Sequence, residues 1–102
     1  MRVSVNGHYY RLRWVDHNRG FAYKLGEIDC TSKKNKEIRL ARGQSPVDLA
    51  DTIIHECMHA GDAFDVIAEE YIAGTATSAA RILEKVGLLR SAEEINEAID
   101  GE

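Results

Sequence analysis

An α+β domain is predicted: a small antiparallel or mixed β-sheet at the N-terminus, followed by helices. Two observations predict it. Apolar and polar residues alternate in short runs between Val3 and Ala41, the period of half-buried strands. From Ser45 onward apolar residues recur at three- and four-residue steps, bracketed by helix start and stop signals. Strands first and helices after is an α+β order. At 102 residues, 1–102 read as a single domain with one modest core, and 44% apolar residues suit such a globule.

The elements follow in order. Val3 and Val5 alternate with polar neighbours, and Asn6-Gly7 is a two-residue hairpin turn, since both residues tolerate positive φ. Tyr10, Leu12 and Trp14 then alternate with Tyr9, Arg11 and Arg13, giving one buried and one basic face. Asn18-Arg19-Gly20 reads as a turn, Phe21 to Leu25 as a third strand, and Gly26 to Lys36 as an irregular basic loop. Glu37-Ile38-Arg39-Leu40-Ala41 is a short alternating strand. Ser45 can cap a helix that Pro46 opens, and Asp48 suits its positive end. Gly61 is expected to end this helix. A second helix is expected from about Asp65 to Val86, closed by Gly87. Ser91-Ala92-Glu93-Glu94 is a capping box for a short last helix.

Composition narrows the class. The start, MRVSVNGHYYRLRW, lacks the continuous apolar core of a signal peptide, and no segment approaches the roughly 20 apolar residues of a membrane helix. A cytoplasmic location, with no membrane partner, is expected. Cys30 and Cys57 are too few for a disulfide scaffold and are expected to be reduced thiols. Charge is unevenly divided: residues 1–46 carry 10 Lys/Arg against 4 Asp/Glu, and residues 47–102 carry 3 against 13. Either the halves face each other within one fold, or the basic half attracts nucleic acid.

The chemistry concentrates in DTIIHECMH, Asp51 to His59. Residues four apart share one face of a helix, about 6 Å apart at Cβ. His55 and His59 can thus reach one ion at about 2.0–2.1 Å each. Glu56, turned about 100° from His55, flanks the ion, where a general base for activated water belongs. Cys57 and Met58 are expected in the core. A third ligand is expected on the next helix. Ile72, Ala76, Ala79, Leu83 and Val86 form one stripe that extends back through Glu69 to Val66, so Glu69 falls on an apolar face. An ion would remove the cost of a carboxylate there. Glu70, turned towards Ala73, Gly74, Thr77 and Arg81, is expected to be solvated. Two histidines and a glutamate leave an open position, the composition of a catalytic zinc site.

HECMH preceded by DTII, the strand EIRLA before that, and the downstream Glu69 resemble the small single-domain zincins. The nearest in plan are gluzincin-type minimal metallopeptidases, with similarity to SprT-like domains. The resemblance covers roughly residues 36–86 and is most specific at His55, Glu56 and His59. Gluzincins take a glutamate from the following helix, a place that Glu69 or Glu70 fills. SprT-like domains usually take a third histidine, and no histidine follows His59. Metzincins need a histidine where Asp65 stands. The resemblance implies peptide-bond hydrolysis with one Zn2+, with Glu56 taking a proton from water and delivering it to the leaving amine. It implies that Glu37–Ala41 is an edge strand that pairs with an extended peptide substrate. Tyr71 or Tyr23 is a candidate to stabilise the oxyanion, though packing roles are commoner. Asp62 either orients His59 or, more in keeping with its position, serves a turn.

Two other classes compete with a zinc-dependent metallopeptidase. In a non-enzymatic zinc module, Cys30, His8 or His17 would close the fourth position. In a nucleic-acid-associated protein, Arg11, Arg13, Lys33, Lys34 and Lys36 would meet phosphates.

Overall fold

The computed structural model describes residues 1–15, 36–62 and 64–101, and the backbone of 26–29. Four strands, β1 (Arg2–Val5), β2 (His8–Val15), β3 (Gly26–Asp29) and β4 (Glu37–Ala41), precede three helices, α1 (Pro46–Gly61), α2 (Glu69–Lys85) and α3 (Ala92–Asp100). The fold is α+β, a mixed sheet followed by helices. The sheet order is β1-β2-β4-β3, with β2 and β4 parallel and the outer pairs antiparallel.

Local chemistry explains the first hairpin. Asn6 and Gly7 both take positive φ, 50° and 81°, which suits the right-handed twist of β1 and β2. Tyr10 and Leu12 of β2 are buried and Trp14 half-buried, while Tyr9, Arg11 and Arg13 are exposed. Ile38 and Leu40 of β4 are fully buried. With Tyr10 and Leu12 they meet Leu49 and Ala60 of α1 and Ile99 of α3 in one core.

Two strand expectations need correction. β4 (Glu37–Ala41) is not an edge strand: it pairs with β2 on one side and β3 on the other. Its two fully buried side chains explain this, since they are best covered at the centre of the sheet. The edges are β1 and β3. Gly26–Asp29, expected to be loop, is strand β3, in register with β4 from Gly26↔Leu40 to Asp29↔Glu37. GEID has only one strong strand former, so pairing with β4 overrides local preference. The expected strand at Phe21–Leu25 lies outside the described residues.

α1 begins as its sequence predicts: the Ser45 side chain accepts from the Asp48 N–H at 3.3 Å, and Pro46 opens the first turn. Its sheet side carries Leu49, Thr52, Glu56 and Ala60. The Thr52 hydroxyl donates to Gln44 Oε1 at 2.7 Å, and Gln44 Nε2 donates to the Ala41 carbonyl at 3.0 Å, which ties β4 to α1. Gly61 is the last helical residue, and a Cβ there would sit 3.1 Å from the Asn6 side chain, so a glycine lets the hairpin approach.

α2 starts about one turn later than predicted. Asp65 takes φ 52°, and the Asp62 carboxylate accepts from the N–H groups of Val66 at 3.1 Å and Ile67 at 2.8 Å. This Asx-type structure replaces a first helical turn. At the other end Gly87 takes φ +77°, its N–H donates to the Glu84 carbonyl, and the Leu88 N–H donates to Leu83, a Schellman motif. α3 shows both halves of the predicted capping box between Ser91 and Glu94.

The core placement yields a first prediction. Leu40→Ala lowers stability by about 2–5 kcal/mol in urea titration, whereas Ile82→Ala, at a position 61% exposed, changes it by less than about 0.5 kcal/mol.

Candidate metal centre

α1 presents different faces to different neighbours. Its sheet side is apolar apart from Thr52 and Glu56. A second stripe at four-residue steps, Asp51, His55 and His59, meets α2. α2 answers with Glu69 and Thr77 and runs antiparallel to α1. Near one end of this seam the Thr77 hydroxyl donates to Asp51 Oδ2 at 2.7 Å. At the other end His55 Nε2 lies 2.8 Å from Glu69 Oε1, and His59 Nε2 lies 2.7 Å from Glu69 Oε2. Ile72, Ala76 and Ala80 are the buried residues of α2.

The two Nε2 atoms are 3.2 Å apart. Two ligands at about 2.0–2.1 Å from one tetrahedral ion are separated by about 3.3 Å. The spacing of the two nitrogens therefore suits a metal ion, while the histidine–glutamate contacts, at 2.8 and 2.7 Å, are hydrogen-bond distances. Proton placement points the same way. If both Nε2 atoms carry hydrogen and donate to Glu69, the nitrogen–nitrogen contact pairs nothing. If one is bare, its lone pair faces a carboxylate oxygen. A cation among the three groups satisfies every lone pair at once. His55, His59 and Glu69 could thus hold a metal ion, with one ligand atom from each lying within 4.8 Å of the others.

The route to Glu69 differs from the one predicted. Its side chain is 59% exposed, so burial cost does not place it. Val66 and Val86, the ends of the proposed apolar stripe, are both exposed, and the buried stripe is Ile72, Ala76 and Ala80. Glu69 is the first residue of α2, where a carboxylate complements the helix dipole, and it lies three residues before the buried Ile72, on the face that α2 turns to α1. Thr77, expected on the side of Glu70, faces α1 as Glu69 does. Glu70 is exposed and outside the group.

The other candidates separate cleanly. Glu56 is only 6% exposed and lies on the sheet side of α1, beside the histidines in sequence but outside their cluster. Asp62 caps α1 and holds the 64–68 loop, the turn role expected of it. Tyr71 is exposed on the first turn of α2. His8 is exposed, with Nδ1 3.3 Å from Lys36 Nζ, and belongs to the hairpin. Cys30, His17, Tyr23, Lys33 and Lys34 lie outside the described residues. The Asp51–Thr77 bond was missed by sequence reasoning. Its one available signal was the four-residue spacing Asp51, His55, His59, which extends the ligand stripe by one turn.

Cys57 is half-buried, and burial, followed by the negative charge of Glu56, pushes its thiol above the ordinary range. Less thiolate means slower attack on alkylating agents. In comparisons with protein-family models, curated proteins and solved structures, none matches this chain.

Two outcomes are expected from this geometry. Cobalt(II) titration followed by visible absorption and calorimetry gives saturable binding in the native chain and in Glu70→Gln, and none in His59→Ala. Equal binding by His59→Ala would remove the site. Iodoacetamide at pH 8 labels Cys57 several-fold more slowly than an unhindered thiol, and Glu56→Gln speeds that labelling, as peptide mass mapping would show.

Proposed function

We propose that this chain is a zinc-dependent hydrolase and that its reaction is peptide-bond cleavage. The convergence of His55, His59 and Glu69 at the α1–α2 seam carries this reading. Zinc is the proposed ion because two imidazoles and one carboxylate are the protein ligands of a catalytic rather than a closed structural zinc site. When bound, such an ion supplies Lewis-acid polarisation and acidifies water. The motif with a downstream glutamate also supports placing the chain with gluzincin-type metallopeptidases. A cytoplasmic location remains part of the proposal.

Each residue has a distinct task. His55 and His59 hold the ion from one rigid helix face, and Glu69 completes the set from α2. Glu56 is the proposed general base. It takes a proton from the attacking water and returns it to the leaving amine. Its buried position keeps bulk water from competing at the carboxylate. The peptide is proposed to lie along β3, not β4, because β3 is a sheet edge and also packs against α1. Edge pairing supplies main-chain hydrogen bonds without a deep pocket.

Elemental analysis and hydrolysis of a quenched peptide library test the proposal together. The native chain carries about one zinc. Glu69→Gln loses most of it, and Glu70→Gln does not. Glu56→Gln keeps its zinc and loses about 10²–10⁴-fold in turnover. Full turnover in Glu56→Gln sinks the base assignment, and absence of zinc uptake by the native chain sinks the enzyme reading.

A further inference from the structure

The sheet face turned away from the core carries a second feature, independent of the metal centre. Successive side chains point to opposite faces of a sheet. Arg2, Tyr9, Arg11, Arg13, Glu37 and Arg39 therefore share this face, since Val3, Tyr10, Leu12, Ile38 and Leu40 pack inward. The register sets arginine opposite arginine twice. Arg2 faces Arg11 across β1 and β2, and Arg13 faces Arg39 across β2 and β4. Like charges directly opposite each other destabilise a sheet.

The two pairs are compensated unequally. Glu37 serves the second, with Oε1 3.3 Å from Arg13 Nη1 and Oε2 3.2 Å from Arg39 Nε. Glu37 is also the register partner of Arg11, yet its oxygens go to the other two arginines. Glu27 and Asp29 of the edge strand β3 are the register partners of Arg39 and Glu37, not of Arg2 or Arg11. Among the described residues no carboxylate forms an ion pair with Arg2, Arg11 or Lys36.

These three cations, with His8 and Tyr9, line a depression of roughly 430 Å³ at the hairpin end of the sheet. The Arg2 guanidinium sits 4.1 Å from the centroid of the Tyr9 ring, and Lys36 Nζ sits 5.7 Å from that of Tyr10. Such contacts hold the cations in place without neutralising them. Tyr9 is 59% exposed, which leaves ring surface for another stack.

We infer that this face binds single-stranded nucleic acid, with a backbone phosphate between Arg2 and Arg11, a base stacked on Tyr9, and Lys36 adding positive charge from the core side of the same hairpin end. Paired guanidinium forks match phosphate oxygens. An aromatic ring set among cations on an open surface is a stacking platform for unpaired bases. A lipid surface would call for large apolar anchors beside the cations. Apart from Tyr9, the exposed large apolar side chains among the described residues, including Phe64, Val66, Ile82 and Leu88, lie on the helices and their connections instead.

Fluorescence anisotropy with a labelled oligothymidine strand, at about 50 and 200 mM salt, tests this on the full chain. The native chain binds at low salt and weakens as salt rises. Arg2→Ala/Arg11→Ala binds at least about tenfold more weakly, with a salt slope smaller by about 1–2. Tyr9→Ala also loses about fivefold or more, while Arg90→Ala, at the exposed α2–α3 connection, binds as the native chain does. A mononucleotide should compete far less well than the strand. No native binding at low salt, an equal loss in Arg90→Ala, or tighter binding to phosphatidylserine vesicles with the same arginine dependence overturns the inference. Thermal melting gives an independent check: without nucleic acid at low salt, the double arginine variant melts at or above the native temperature. A clear fall would mean that the arginines stabilise the sheet and the repulsion premise is wrong.

Discussion

The burial of α1 between the sheet and α2 is the constraint from which the rest follows. Leu49 and Ala60 join Ile38 and Leu40 in the core, which fixes the rotation of α1 about its axis. Once that rotation is set, His55 and His59 must project towards α2. The small buried residues of α2, Ala76 and Ala80, permit a close approach without competing side chains. A metal centre on such a seam inherits its precision from helix packing rather than from a loop. Glu56 follows from the same rotation. One residue along from His55, it is carried to the sheet side, and its 6% exposure records that turn.

Much of this was legible in the sequence, for identifiable reasons. Asn6-Gly7, Ser45-Pro46, Gly87 and the Ser91–Glu94 box act through their own backbone geometry, so local chemistry sufficed. The histidine pair was legible because its spacing matches one helical turn. What escaped depends on partners distant in sequence. β3 exists through pairing with β4, and no local propensity announces GEID as a strand. The interior place of β4 depends on β3 in turn. The late start of α2 depends on the Asp62 carboxylate capturing two backbone N–H groups, which competes directly with a helical first turn. Glu69 does lie three residues before Ile72, on the face of the buried Ile72 and Ala76 of the expected stripe, but its exposed carboxylate shows that burial cost is not what brings it to the histidines.

The charge asymmetry also resolves into geometry. Among the described residues, Arg42 and Asp100 are the ion pair that joins the basic first half to the acidic second half. They pair at 3.5 Å, but both side chains are largely exposed, so that contact contributes little. Most of the described strand arginines lie on the sheet face opposite the core, while the helices carry most of the carboxylates. Among the described residues, then, the outer sheet face is basic and the helices are mostly acidic.

The seam has two polar anchors of unequal strength, which bears on how the metal centre closes. The Thr77–Asp51 bond is part-buried and lies well inside α2. The Glu69 contacts lie at the first turn of α2, with a carboxylate more than half exposed. Water competes for those contacts, and helix ends fray before helix centres. In the absence of an ion, the first turn of α2 is therefore the weakest part of the seam. An ion bridging α1 and Glu69 would tie that turn down, because binding to the closed arrangement alone shifts the equilibrium towards it. The 64–68 loop, braced by Asp62 against the end of α1, limits how far Glu69 can depart. Metal affinity in this chain should therefore depend on Asp62 as well as on the three ligands, although Asp62 contributes no ligand atom itself.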